Sequence, residues 1–218
     1  MTPLRIEVLT LFPELVEQVG RYGIVGRAVE SGKLALTTRN FRDYSENKWR
    51  RVDDRPYGGG PGMVMNAGPV AKAIEAAKAA IGAKAKVVAL SPQGEPLTQA
   101  WVKRLAAEEG LVVLCGRYEG IDERAQGLVD VELSLGDFVI SGGELGAMVL
   151  VDAVARLIPG ALGDEQSAEN DSFSAGLLDH PHYTRPAEVA GRKVPDVLVS
   201  GHHGEIRRWG REAALQRA

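Results

Sequence analysis

The chain has 218 residues, 44% of them apolar and 25% charged, which suits a soluble globular protein with room for one sizeable domain, or a domain and a small appendage. A net charge of −3 and a pI near 5.9 argue against a generally sticky nucleic-acid binder, although an average does not exclude a local basic face. No apolar run approaches the roughly 20 residues needed to span a bilayer, Met1–Arg5 opens no signal peptide, and Cys115 alone cannot form an internal disulfide, so a cytoplasmic protein without membrane contact is expected.

In chain order, "LRIEVLTLF" (4–12) predicts a short buried strand, and "PELVEQVGRYG" (13–23) a helix opened by Pro13, whose missing N–H would have had no partner there. "KLALTTRNF" (33–41) reads as a second strand. The loop "DDRPYGGGPGMVM" (53–65) follows, too rich in glycine and proline for a core element. After it come a helix over 68–82, a strand "AKVVALSP" (85–92) that ends in a turn, and a helix over 97–110. "LVVLCGRYEGID" (111–122) is strand then loop, "VDVELSL" (129–135) a further strand, and "GGELGAMVLVDAVARLIPG" (142–160) a strongly apolar helix packed on several sides.

Strands alternating with helices of this length predict an α/β domain with a largely parallel sheet, and in such sheets ligands sit beyond the carboxyl ends of the strands. Three glycine-containing loops hold that position: Ser91–Pro96, Cys115–Asp122 and Ser134–Glu144. Residues 162–175 are polar, acidic and small, which reads as a linker. Beyond them, residues 181–218 hold seven Lys or Arg against four Asp or Glu and end in a helix. The predicted organisation is therefore a ligand-binding α/β domain over 1–161, a linker over 162–175, and a small basic appendage over 176–218.

The loops lack the usual cradles. No G-x-G-x-x-G follows a strand, and no G-x-x-x-x-G-K-[ST] occurs. "HPH" and "HH" offer imidazoles, but no carboxylate or cysteine cluster at ligand spacing completes them, so no metal site is predicted. Glycine loops can close main-chain groups around a flat heterocycle, yet glycine turns are commonly only turns. Two local basic stretches, Arg39–Arg51 and Gly204–Arg211, read on charge alone as solvated faces.

The motifs "LTLFPE", "GRAVESGKLAL", "DDRPYGGGPGMVM", "LSPQGEPL", "LCGRYEGIDER", "GDFVISGGELGAM", "RLIPG", "DSFSAGLLDHPHYTRP" and "VLVSGHHGEIRRW" together resemble the bacterial tRNA (guanine-N1)-methyltransferase family of the SPOUT superfamily, in order and over nearly the whole chain. The resemblance implies methylation of guanine 37, just 3′ of the tRNA anticodon, from S-adenosyl-L-methionine. It also implies a trefoil knot within the α/β domain and a homodimer with each active site at the subunit interface. Periodicity and composition show no knot.

Carried over by motif, the cofactor would be lined by Leu90, Ser91 and Pro92, by Gly116, Tyr118 and Glu119, by Leu135, Gly136, Asp137, Phe138, Val139 and Ile140, and by Gly142 and Gly143. Asp53, Pro61 and Gly62 would receive the guanine and its 5′ neighbour, with Ser167 contacting substrate. The implied general base is Asp171, and Arg156 is the implied stabiliser of charge on guanine O6. Each has a plainer alternative: Asp171 as a helix cap, Arg156 as a complement to a helix dipole. The linker is expected to order when tRNA and cofactor bind. Magnesium dependence comes with the family, without a legible protein site. Family members continue for tens of residues past the "IRRW" segment, so minimal tRNA contact is expected of the appendage. Two other readings compete: a nucleotide-using transferase with phosphates on "GGGPG", and a non-catalytic RNA-binding protein relying on the basic tail.

Overall fold

The computed structural model describes residues 2–162, 171–173 and 176–217. Two compact units result, Met1–Gly163 and Asp164–Ala218. Five strands of the first unit form one parallel sheet: β1 (Leu4–Thr10), β2 (Leu34–Asn40), β5 (Lys86–Pro96), β6 (Gly110–Cys115) and β7 (Val131–Ser134), in the order β2-β1-β6-β5-β7. A two-stranded antiparallel ribbon, β3 (Asp53–Asp54) with β4 (Val64–Met65), flanks the glycine loop.

The middle strand, β6, is apolar without interruption because both faces of the sheet are covered there, as parallel sheets require. Every residue of β6 is buried. Its side chains alternate: Leu111, Val113 and Cys115 join one core with Ile6, Val8 and Val88, while Val112 and Leu114 join the other with Leu9, Val87 and Ala89. The first core is closed by α2 (Gly23–Glu30), α4 (Gln99–Ala106) and α5 (Glu144–Ala155), through Val25, Ala28, Val102, Leu105, Leu150, Val151 and Val154, and by Val16 of the short α1 (Pro13–Glu17). The second is closed by α3 (Ala67–Ile81), through Val70, Ala73, Ile74 and Ala77, with Phe41 and Met65.

The single helix expected over 13–23 is instead divided. α1 stops at Glu17, a 3-10 turn covers Val19–Arg21, and Gly23, at φ +62, opens α2. Glycine in the left-handed region restarts the chain in a new direction, and α2 went unpredicted. Thr98 caps α4 by accepting a hydrogen bond from Trp101 N, which starts that helix later than expected.

Ser91–Pro96, read as a turn, is part of an irregular extension of β5. The ladder with β7 breaks after Leu90 and resumes at Glu95, and both residues register with Leu133. Gly94 makes this return possible, since a Cβ there would lie 2.5 Å from Leu133 N and 2.6 Å from Glu132 C.

In the second unit, the helix His203–Leu215 agrees with the expected terminal helix, and a short ribbon pairs Glu188–Val189 with Arg192–Lys193. Trp209 packs near the His180 and Tyr183 rings at centroid distances of 5.8 and 6.3 Å. Gly210 leaves the space that the His180 ring fills.

Gly94→Ala forces backbone to move and is expected to lower stability by roughly 1–3 kcal/mol. Gly68→Ala, at an exposed helical site with nothing within 4 Å of the added carbon, should be neutral or stabilising. Urea denaturation followed by tryptophan fluorescence compares the two.

Candidate active site

Because β6, β5 and β7 are adjacent and parallel, their carboxyl-end loops emerge side by side and converge on the start of α5. Gly143 N donates to Gly116 O at 2.9 Å, joining the β6 loop to the helix. Leu97 N donates to Ser134 O at 2.8 Å, joining the end of β5 to β7. Gly146 lies against Leu90 and Leu135, where an added Cβ would meet their side chains at 3.0 and 3.4 Å. Close approach is required here: a Cβ on Gly143 would sit 2.7 Å from Cys115 Cα, and one on Gly142 would run into the Arg117 side chain.

A buried ionic node fixes this convergence. The Glu144 side chain is 1% exposed and accepts from Arg117 Nε at 2.9 Å and from Thr10 Oγ1 at 2.8 Å. Arg117 also donates to Ser141 O at 3.2 Å, and its guanidinium lies 4.6 Å from the Phe12 ring centroid. As the first residue of α5, Glu144 sets its carboxylate at the positive end of the helix dipole. Burial and the Glu144 charge push the neighbouring Cys115 thiol well above its usual range, so it stays a neutral core group. Thr10, Arg117 and Glu144 are not singled out by the sequence pattern. An acid directly after two glycines at a helix start is a legible hint, but its partner 27 residues away is not.

The glycine loop is stitched to the β6 loop. Glu119 N donates to Met63 O at 3.0 Å, Met65 N to Gly120 O at 2.9 Å, and Asp122 N to Met65 O at 2.9 Å. Gly58, Gly59, Gly60 and Gly62 all have positive φ. At Gly62 a Cβ would collide with the Glu119 carboxylate, so the two expected site residues do meet. Asp53 pairs with Met65 in the ribbon, and Pro61 is exposed on the loop. Tyr118 holds φ +61, an uncommon backbone state for a bulky residue and one that clusters at functional sites.

The loop after β7 carries an exposed apolar run, with Phe138, Val139 and Ile140 at 56%, 83% and 38% exposure. Leu145 and Val149, one turn apart on α5, are about half exposed as well. The helix expected to pack on several sides therefore leaves one apolar stripe open.

Arg156 is not drawn into this cluster. Arg156 caps the far end of α5, and 12 residues at 1.5 Å rise put it about 18 Å along the helix from the converging loops. Asp171 belongs to the second unit. No helix begins at it among the described residues, which leaves the capping alternative without a helix to cap. Ser167 and most of the expected linker lie outside the described residues.

The histidines correct one expectation. A carboxylate does accompany "HPH": Asp179 Oδ2 is 2.8 Å from His182 Nε2, and ligand atoms of Asp179, His180 and His182 lie within 4.8 Å of one another. The acid precedes the first histidine directly, and His180 N bonds Asp179 Oδ1 at 2.7 Å, a local fold-back that ligand spacing rules do not describe. The His182 bond holds the Asp179 carboxyl below its usual range. A separate hollow of about 560 Å³ on the β1–β2 edge, lined by Arg5, Glu7, Thr37 and Arg39, includes none of the expected site residues, and its buried Glu7 is already paired with Arg39.

Comparison with known proteins is unambiguous. A family profile for tRNA (Guanine-1)-methyltransferase TrmD matches residues 4–218. The chain is 59% identical over 218 residues to the tRNA (guanine-N(1)-)-methyltransferase of Pseudomonas fluorescens (strain SBW25), covering 100% of this chain and 87% of that protein. It is 59% identical over 214 residues to the one from Halorhodospira halophila (strain DSM 244 / SL1), covering 98% and 81%. The crystal structure of tRNA (m1G37) methyltransferase from Aquifex aeolicus superposes with a TM-score of 0.80 at 42% identity, over 95% of this chain and 87% of that one. By these matches this α/β protein, with its loops gathered over the carboxyl ends of parallel strands, is of the methyltransferase class. The chain belongs to the tRNA (guanine-N1)-methyltransferase family.

Arg117→Ala leaves a buried, unpaired carboxylate at Glu144 and should cost about 3–5 kcal/mol. Adding Glu144→Gln should return part of that loss, as thermal unfolding of the single and double variants will show. Asp122 offers a pH test. Side-chain and backbone hydrogen bonds from Arg124 lower its pKa from 3.8 to about 2. A depressed carboxyl stabilises the fold above its ordinary pKa, and that contribution is lost as pH falls through about 2. An NMR titration should place Asp122 near that value, moving up towards 3.8 in Arg124→Ala.

Proposed function

We propose that this chain transfers the methyl group of S-adenosyl-L-methionine to N1 of guanine 37 in tRNA. The observation that carries the reading is the convergence of three loops on the start of α5 in a chain of this family. These loops fit such a cofactor. They offer main-chain groups at glycines, an exposed apolar run at Phe138–Ile140, and the exposed Glu119 carboxylate, with no basic cradle for a triphosphate. Arg117, the one cation among them, is already held by Glu144. Leu90, Ser91, Pro92, Gly116, Tyr118, Glu119, Leu135–Ile140, Gly142 and Gly143 would hold the cofactor, which when bound supplies an electrophilic methyl group on a sulfonium.

Guanine N1 carries a proton and a delocalised lone pair, so it needs a base as well as an electrophile. Asp171 takes that proton, and Arg156 offsets the charge that develops on O6. Asp53, Pro61 and Gly62 receive the guanine, where positive φ at Gly62 brings backbone close to the flat base; Ser167 contacts the substrate as well. We further infer a trefoil knot in the first unit and a homodimer. Two observations support the dimer. Leu145 and Val149 leave an apolar stripe of α5 open, and Arg156 lies at the opposite end of α5 from the loops of its own chain. A two-fold partner would cover the first and bring a second Arg156 to each loop cluster. Magnesium would act with the phosphates of the substrate, since Asp179, His180 and His182 offer too much nitrogen for an ion that demands oxygen.

Labelled methyl transfer to transcripts carrying guanine or adenine at position 37 tests the reaction, with label expected on the guanine transcript alone. Asp171→Ala and Arg156→Ala should each lower kcat by roughly 10²–10³ with little change in cofactor affinity. Equal, small losses in both quantities would reject the assigned roles.

A further inference from the structure

The basic stretch before the glycine loop has no part in that scheme, and its structure is not that of a merely solvated face. Trp49 is 70% exposed on a built turn: its N–H donates to Asn47 Oδ1 at 2.8 Å, and Arg50 N donates to Asn47 O at 2.7 Å. Arg50, at φ +55, closes the turn by reaching Asp43 and the Arg42 carbonyl, while Arg42 Nη1 reaches the Arg50 carbonyl at 3.3 Å. Ser45 holds the Arg51 carbonyl. The backbone that presents a large aromatic side chain to water is thus held in place, at the cost of that side chain's burial.

The charges around it are divided in the same way. Asp43 and Glu46 are taken up by Arg50 and Lys72. Lys48, Arg51 and Arg55 are exposed, and Lys48 Nζ stands 5.1 Å from the Trp49 ring centroid. From this turn the chain runs through the buried Val52, whose carbonyl accepts from Asn66 N at 2.8 Å, straight into Asp53. Asp53 lies four positions after Trp49, a reach of at most about 14 Å. Tyr57, 99% exposed, follows on the other side of Asp53. Cations interleaved with exposed aromatic rings are what single-stranded RNA binds, through phosphate contacts and base stacking.

We propose that the turn Lys48–Arg51 is an RNA-binding surface that takes a single-stranded nucleotide next to the target guanine, its base stacked on Trp49 and its phosphate held by Lys48 and Arg51. The inference rests on the tRNA reading above and names a part of the protein that positions that substrate. Lys48 stands at one face of the indole, and the opposite face receives the base. Arg50 is excluded as a phosphate ligand because Asp43 holds it.

The test is steady-state methylation of a guanine-37 tRNA transcript by the full-length chain and three variants, at several salt concentrations. Trp49→Ala should raise KM for tRNA roughly tenfold, as expected when one base loses its stacking partner. S-adenosylmethionine affinity, measured without tRNA, should not move. Trp49→Phe keeps a stacking face and should restore most of the KM. Lys48→Ala combined with Arg51→Ala should flatten the dependence of log KM on log salt by about 0.7 for each phosphate no longer neutralised. An unchanged KM in Trp49→Ala, with an unchanged salt slope in the double variant, overturns the inference alone. A KM raised equally in Trp49→Phe also overturns it, since the effect would then be one of packing. If the unaltered chain transfers no methyl group to this transcript, the tRNA reading itself fails and the inference fails with it.

Discussion

Glu144 carries a full charge at 1% side-chain exposure, and three segments distant in sequence converge to make that tolerable. Thr10 comes from the end of β1, Arg117 from the loop after β6, and the helix whose dipole faces the carboxylate is α5 itself. A buried pair of this kind is weak evidence for stability, because desolvation offsets most of the attraction. What it imposes is geometry. The loops can approach α5 only where Arg117 meets Glu144, which is why Gly142 and Gly143 have no room for a side chain. The main-chain groups offered to a ligand are placed by an interaction that need not touch the ligand.

The parallel sheet supplies the other half of the arrangement. β6 lies between β1 and β5, and β7 follows β5 at the edge, so the loops from three adjacent strands open on one side. The glycine loop joins them from the second core through main-chain bonds along Met63–Met65, with Arg117 N donating to Met65 Sδ beside them. Its glycines are thereby free to adopt left-handed conformations against the Glu119 loop. Residues proposed to receive the base and residues proposed to hold the cofactor then share one wall.

Much of this was legible in the sequence, for specific reasons. β6 reads as a strand because six consecutive buried residues are apolar, and the alternation of strands with long helices predicts the parallel sheet. The convergence of the three loops followed from that topology. What was not legible depended on contacts far apart in the chain. α2 was hidden because it opens at Gly23, the glycine at which the expected helix ends, and the return of β5 at Glu95 depends on a backbone approach to Leu133 that no local pattern encodes. Asp179 was passed over because the turn that brings it to His182 is local, and its spacing matches no metal motif. Trp49 carried a signal, an aromatic residue among basic ones, but only its exposure separates a binding surface from a core residue.

The excursion of β5 between Leu90 and Glu95 starts and finishes against the same residue, Leu133. Both ends are therefore set by the sheet, and the intervening segment has a fixed span to bridge. Substitutions within it, Gly94 excepted, alter chemistry while leaving the frame intact, whereas an added or deleted residue would have to be absorbed within that fixed span. Outside Gly94, this segment can therefore change in letter more readily than in count, the reverse of what a surface loop usually tolerates.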